Sequence, residues 1–202
     1  MKNRFLVSFV VISFVVLLSG CAKVPQAELD AVNAAIEDAR TAGADVYLPG
    51  EFAALQDSMN VINQLVEEQK GKLFKSYKVV KAKVATLTTA AATTKGNVET
   101  KKVEVKNEID ALTTELTGLV ATAKAYVAKA PRGKEGAAAV DAINTEVTNL
   151  ETGLTTDIPA KVTAGDLMPA LDWLKASKEK VNGLITELTA AYEKAGKKLP
   201  TL

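Results

Sequence analysis

Apolar residues recur every three or four positions along most of this chain, and charged residues, alanine and threonine fill the positions between them. In residues 25–43 the apolar face is formed by Leu29, Val32, Ile36 and Ala39. Such spacing places side chains on one face of an α-helix. No segment between turn residues shows the strict alternation that indicates a half-buried strand. The pattern therefore predicts an all-α fold whose first helix covers residues 25–43.

A second, longer helix is predicted over residues 51–94. Leu48 precedes Pro49 and predicts the turn before this helix, because a residue in front of proline is disfavoured in the helical region. The residues that recur every seven positions here are all apolar: Phe52, Met59, Val66, Leu73, Val80 and Leu87. Gly71 lies inside the segment, and glycine in a helix interior costs about 1 kcal/mol. The sequence leaves open whether the helix continues through Gly71.

Three more helices are predicted downstream. A turn at Gly96-Asn97 precedes the third helix, which ends before Pro131. The fourth helix covers residues 134–155 and is followed by a break at Asp157-Ile158-Pro159. The fifth begins after Asp166, a residue type that favours the N-cap position.

Together these segments predict an elongated antiparallel bundle of four to five long helices with coiled-coil-like packing. The sustained seven-residue repeat supports this fold, since helix faces with such a repeat pack against neighbouring helices. We expect a single domain over residues 25–198, followed by a tail at residues 199–202.

The N-terminal residues have a different pattern. Lys2 and Arg4 precede an apolar run at residues 5–18 that is interrupted only by two serines. A helix needs about 20 apolar residues to span a bilayer, so the run is too short and is typical of a secretory signal peptide. Leu18-Ser19-Gly20-Cys21 ends this segment and resembles the lipobox of bacterial lipoproteins.

That resemblance implies that residues 1–20 are a signal peptide cleaved between Gly20 and Cys21, and that Cys21 carries a lipid anchor with palmitate-type chains. Residues 21–24 then form a lipidated tether that attaches the protein to a membrane. Ala22 follows the cysteine, whereas an aspartate there is associated with retention in the inner membrane of Gram-negative bacteria. The expected location is the bacterial cell envelope, at the outer membrane, on its periplasmic or surface face.

The composition excludes several kinds of site. The chain contains no histidine, and its only cysteine, Cys21, is the predicted lipidation site and so leaves no spare thiol. Histidine-dependent triads, cysteine nucleophiles and ordinary zinc sites are therefore excluded. The net charge of +1 argues against nucleic acid as a partner. We predict no catalytic residues, no metal site and no cofactor, although chemistry by carboxylates alone and oxygen-ligated Ca²⁺ or Mg²⁺ stay open.

Charge is distributed unevenly along the helical part. Residues 23–69 contain nine acidic and two basic residues, whereas residues 70–102 contain nine basic residues and one acidic residue. The candidate binding residues are six lysines: Lys70, Lys72, Lys75, Lys78, Lys81 and Lys83. They predict a patch for an anionic partner, such as lipid phosphates, a cell-wall polymer or an acidic protein surface. The alternative is a solvated face whose charges complement neighbouring helices and the helix dipole.

Three motifs within residues 27–94 carry a family resemblance. They are Ala39-Arg40-Thr41-Ala42-Gly43-Ala44, Tyr47-Leu48-Pro49-Gly50-Glu51-Phe52 and Lys75-Ser76-Tyr77-Lys78. With the alanine-rich first helix, these motifs resemble a domain-of-unknown-function family of helical envelope lipoproteins. The resemblance implies an envelope-anchored helical module and brings no activity or catalytic residues.

Three functions are consistent with these features. The first is a membrane-anchored structural or protein-interaction module without catalysis, which binds an envelope protein or a second copy of itself through its helix faces. The second is a binding module for anionic envelope polymers, lipopolysaccharide or cell wall, through residues 70–83. The third, a carboxylate-based enzyme, requires two acids from different helices beside a cavity.

Overall fold

A computed structural model of the protein describes residues 23–132 and 136–201. All regular secondary structure in these residues is helical, without any strand. The predicted all-α helical bundle is therefore confirmed. No helix in this part of the chain combines the length and the apolar character needed to cross a membrane. The predicted signal peptide and the lipidation site at Cys21 lie outside the described residues.

The described residues form seven α-helices and one π-helical turn. In chain order they are α1 (Gln26–Ala42), α2 (Ala44–Tyr47), α3 (Pro49–Lys70), α4 (Lys78–Ala128), α5 (Ala137–Thr152), the π-helical turn (Gly153–Asp157), α6 (Ile158–Ala164) and α7 (Leu167–Lys194). The chain divides into two compact units, and the boundary between Lys101 and Lys102 lies within α4. Unit 1 contains α1 to α3 and the first part of α4, and unit 2 contains the rest.

In unit 1, three long helical segments share one core. Glu28 in α1 forms an ion pair with Lys81 in α4 at 2.7 Å, and Asp38 pairs with Lys95 at 2.8 Å. The later residue of α1 pairs with the later residue of α4, so these two helices run parallel. α3, which lies between them in the chain, runs in the opposite direction. The core consists of buried, mostly apolar side chains: Leu29, Val32, Ala39, Ala44, Phe52, Leu55, Met59, Ile62, Val66, Tyr77, Val80, Val84, Leu87, Ala91 and Val98.

The connection between α1 and α3 is tight. Gly43 ends α1 with a φ of 103°, a conformation that glycine adopts without steric penalty. At the predicted turn only Leu48 lies outside a helix, with φ −136° and ψ 53°. Pro49 is the first residue of α3. Tyr47 and Leu48 are half-buried and pack against the core. This connection therefore contributes side chains to the interior of unit 1.

The question that the sequence leaves open at Gly71 is answered by the structure, in which two helices occupy residues 51–94. α3 ends at Lys70 and α4 begins at Lys78. Residues 71–77, the α3–α4 loop, reverse the chain, so that the apolar face of α4 packs against that of α3. Helices gain most of their stability from burying such a face against a neighbour. The heptad position Leu73 falls in the loop and is exposed rather than buried.

The predicted turn at Gly96-Asn97 is wrong, because α4 continues through both residues as one helix of 51 residues. The buried stripe of this helix runs from Ala91 through Thr94 to Val98 without a gap. A single interior glycine lowers helix stability by only about 1 kcal/mol. Packing of the residues around Gly96 outweighs that loss.

In unit 2, α5 and α7 pack along the second part of α4. Arg132 contacts Asp141 at 3.1 Å and Lys124 contacts Glu151 at 2.8 Å, so α5 runs antiparallel to α4. α7 runs parallel to α4, as the order of three contacts shows: Glu108 with Lys175, Glu115 with Lys178, and Tyr126 with Tyr192. Each unit thus has an up-down-up order of three long segments, and α4 takes part in both.

The predicted helix break at Asp157-Ile158-Pro159 is wrong as well. α5 passes through the π-helical turn into α6 without leaving the helical conformation, and α6 ends at Ala164, where Gly165 follows as the C-cap with a φ of 86°. Pro159 lies directly after the π-helical turn, where the regular α-helical hydrogen-bond pattern is already interrupted. Gly153 is buried against Trp173, and a side chain at this position would overlap the indole ring.

Candidate functional site

The six predicted binding lysines do not lie on one helix. Lys70 is the last residue of α3, Lys72 and Lys75 lie in the α3–α4 loop, and Lys78 is the first residue of α4. The remaining two are in α4. The structure therefore turns the lysine-rich segment of the sequence into a hairpin of helix, loop and helix at one end of unit 1.

Two of the six lysines form ion pairs. Lys70 contacts Glu67 at 2.7 Å within α3, and the hydrogen bond to that carboxylate raises the pKa of Lys70. Lys81 contacts Glu28 in α1 at 2.7 Å, and its hydrogen bond lowers the pKa of the Glu28 carboxyl. For these two lysines the structure favours the alternative interpretation, in which charges on neighbouring turns or helices pair in solvent.

Three other lysines lie close to one another in the chain and are unpaired. Within the described residues, no ion pair involves Lys72, Lys75 or Lys78. Residues 70–83 contain no acidic residue, so the loop and the first turns of α4 carry concentrated positive charge. Lys83 is separate from this group, because it lines a groove between α3 and α4.

The tip of the α3–α4 loop is apolar. Leu73 and Phe74 are 86% and 83% exposed, more than any other large apolar residue in the described part of the chain. The heptad repeat misled the sequence prediction, because Leu73 falls on a heptad position. The signal that could have revealed the tip is the segment Lys72-Leu73-Phe74-Lys75, in which two adjacent large apolar residues are enclosed by lysines directly after Gly71.

The stems of the loop are held in place. The Gly71 N–H donates to the Glu67 carbonyl at 3.3 Å, and the Ser76 N–H donates to Oε1 of Gln69 at 3.1 Å. Tyr77, at the end of the loop, is buried in the core of unit 1. The exposed pair is thus carried by a short segment fixed at both ends.

The loop lies at the end of unit 1 where the described chain begins. Val24 packs against the core, and α1 follows directly. Glu28 pairs with Lys81, which lies only one turn into α4. Because α1 and α4 run parallel from this end, the start of α1 is beside the α3–α4 loop rather than at the opposite end of the unit.

The groove between α3 and α4 is a second feature of unit 1. Its volume is about 520 Å³, and its lining is mainly apolar, with Leu55, Ile62 and Leu87 contributing. Glu51 lies at its rim and accepts a hydrogen bond from Thr94 at 3.2 Å. Among the described residues that line the groove, Glu51 is the only carboxylate.

Unit 2 contains a smaller groove of about 320 Å³ between α4 and α5, where Lys124 and Glu151 pair at 2.8 Å. In the part of the chain that the structure describes, no group of three potential ligand residues could hold a metal ion. Tyr192 is buried and donates its hydroxyl to the Tyr126 carbonyl at 2.9 Å, and burial raises its pKa. This tyrosine has a packing role.

The chain matches no protein-family model, and comparisons with curated proteins and with solved structures give no match either. The resemblance to helical envelope lipoproteins therefore stays a prediction from the motifs. Gly20 and Cys21, the predicted cleavage and lipidation residues, lie outside the described residues, so the anchor also stays a prediction.

Proposed function

We propose that this protein is a lipid-anchored helical module of the bacterial cell envelope, which acts without catalysis by binding an envelope protein or by structural association. The observation that carries the proposal is the packing of Val24, which lies near the start of the described residues. Val24 already contacts the core of unit 1, and only three sequence positions separate it from Cys21. A chain of three residues spans at most about 11 Å, so a lipid on Cys21 would hold a folded unit directly at the membrane surface.

The groove between α3 and α4 supports a role in protein binding. Grooves with an apolar floor and a polar rim accept the apolar face of a partner helix. Val61 lines this groove and is exposed at 45%, and Lys83 and Glu51 offer charged groups at its edges. A partner segment that covers Val61 would remove an exposed apolar side chain from water.

The anchor is tested by feeding a radiolabelled fatty acid to cells that produce the full chain. We expect label in the wild-type protein and none in the Cys21→Ala variant, which should also keep residues 1–20 and migrate as a larger species. Equal labelling of both proteins would refute lipidation at Cys21.

The partner is tested by crosslinking in intact cells, followed by mass spectrometry. A Val61→Glu variant should lose the captured protein, because it places a charge in the apolar groove. A Val46→Glu variant, at a similarly exposed position outside the groove, should retain it. Capture that is unaffected by either change would exclude the groove as the binding surface.

A second candidate function is binding of an anionic envelope polymer. It is favoured by the absence of acidic residues in residues 70–83 and by the unpaired Lys72, Lys75 and Lys78. Binding should weaken steeply with salt and should be lost when these three lysines are changed to glutamate. The matched control is reversal of Lys106, Lys129 and Lys161 in unit 2, for which no ion pair occurs among the described residues, and it should leave binding intact.

A further inference from the structure

We propose that the α3–α4 loop is a membrane-contact site, in which Leu73 and Phe74 insert into an anionic lipid bilayer and Lys72, Lys75 and Lys78 bind the lipid headgroups. This inference rests on the proposed lipid anchor, because the anchor determines which membrane of the cell envelope the loop would contact. The loop itself is a separate contact, formed by different residues, and its insertion can be measured independently of the anchor.

The apolar tip is the first argument. Leu73 and Phe74 are adjacent, almost fully exposed and carried on the loop that joins the end of α3 to the start of α4. Single exposed apolar residues are normal on protein surfaces, whereas a contiguous large pair indicates a contact with a protein or a membrane. Transfer of these side chains out of water is favourable in proportion to their apolar area. A narrow tip can enter a fluid bilayer without a matching pocket.

The surrounding charge identifies the partner as an anionic bilayer. The lysines on both sides of the tip can extend their ammonium groups to the headgroup level while their methylene chains lie along apolar surface. Each lysine close to an anionic membrane strengthens binding by about fivefold. A soluble anionic polymer would use the same lysines, but it would leave Leu73 and Phe74 in water.

The position of the loop is the third argument. The Glu28–Lys81 ion pair and the packing of Val24 place the start of the described chain at the loop end of unit 1. A lipid attached three positions before Val24 would bring the bilayer to this end. Because the loop is already fixed by hydrogen bonds from Gly71 and Ser76, little conformational freedom is lost when it inserts.

The test measures the depth of residue 74 in the full chain reconstituted into vesicles. Trp173, the only tryptophan, is changed to Phe in all samples, and Phe74→Trp is introduced as the probe. Vesicles contain anionic phosphatidylglycerol with or without lipids brominated on the acyl chains, which quench nearby tryptophan. Val46→Trp is the matched control, because Val46 is 51% exposed in α2 at the opposite end of unit 1. Circular dichroism verifies the helix content of each variant.

We expect the emission of Phe74→Trp to shift to the blue and to be strongly quenched by brominated lipid, with neither effect for Val46→Trp. Changing Lys72, Lys75 and Lys78 to glutamate should abolish the quenching at residue 74. Emission typical of water and no quenching, in chains that float with the vesicles, would overturn the loop contact while leaving the anchor intact.

Flotation separates the two proposals. A chain that fails to float with the vesicles contradicts the anchor. A blue shift of Phe74→Trp that appears without vesicles and grows with protein concentration would instead identify a second copy of the chain as the occupant, and would also overturn membrane insertion. Quenching that persists after reversal of the three lysines would refute their role in headgroup binding.

Discussion

The two connections that flank α3 use similar residues in opposite ways. The α1–α3 connection begins at Gly43 and contains Tyr47 and Leu48, whereas the α3–α4 loop begins at Gly71 and contains Leu73 and Phe74. Each thus has a glycine followed by an adjacent leucine and aromatic residue. In the first connection that pair packs against the core, and in the second it is exposed to solvent.

The difference shows that exposure of Leu73 and Phe74 is not a general property of loops in this protein. Both connections join antiparallel helices in the same unit, and the first one brings its apolar pair to the interior. In the second connection the pair is exposed between lysines, although hydrogen bonds also hold the backbone at both ends of this loop. A role outside the unit explains this arrangement better than incomplete packing does.

The largest expected effect comes from truncating the two apolar pairs. Tyr47→Ala with Leu48→Ala should lower the free energy of unfolding of unit 1 by about 2–3 kcal/mol, because half-buried apolar contacts are lost. Leu73→Ser with Phe74→Ser should change it by less than about 0.5 kcal/mol. Hydrogen exchange of the backbone amides of α1 and α3 measures the change in unfolding free energy for each double variant. Equal destabilisation would show that the exposed pair also packs in solution.

The next effect concerns the glycines that open the two connections. Gly43→Ala should destabilise unit 1 by about 1–2 kcal/mol, because alanine is disfavoured at a φ of 103° and its Cβ would lie 3.1 Å from the Tyr47 ring. Gly71 has a φ of −77°, so Gly71→Ala should have almost no effect. Thermal unfolding followed by circular dichroism measures the stability of both variants. A Gly43→Ala variant as stable as the wild type would contradict the left-handed backbone conformation at Gly43.

A smaller effect of opposite sign is expected at Gly96, which the sequence predicted to lie in a turn. Because α4 is helical there and a Cβ would meet no neighbouring atom, Gly96→Ala should stabilise the protein by about 0.5–1 kcal/mol. Urea unfolding measures the change. Destabilisation would indicate that the chain turns at this residue after all.

The smallest effect concerns the ion pair that holds the start of α1 beside the α3–α4 loop. The hydrogen bond from Lys81 lowers the pKa of Glu28 below its ordinary value of 4.5. Its stabilising contribution is therefore complete above that value and is lost as the pH falls through the lowered pKa. The difference in unfolding midpoint between wild type and Glu28→Gln should thus disappear in acid.

The matched control for this ion pair is Glu68→Gln. Glu68 is exposed at the end of α3, and no ion pair involving it occurs in the described residues. Its replacement should leave the midpoint unchanged across the same pH range. A pH-dependent difference of the same size at Glu68 would show that general charge effects, and not the contact with Lys81, produce the result.

Local periodicity determined much of this protein from the sequence by itself. The three- and four-residue spacing identified a helical protein, and Pro49 and Asp166 marked the starts of α3 and α7 because their effects on the backbone are local. The absence of histidine ruled out whole classes of site. The lysines of residues 70–83 were recognised as a group, although not as parts of a loop.

Only the tertiary structure decided where helices end when the local signals are weak. The heptad repeat continues through Leu73 because it depends only on which residues are apolar. It does not reveal that the chain reverses at this point and that α4 packs against α3. Conversely, Gly96 resembles a turn residue, yet the packed stripe around it keeps α4 continuous. Such choices depend on the burial of one helix against another, which involves residues far apart in the chain and is therefore invisible to any local pattern.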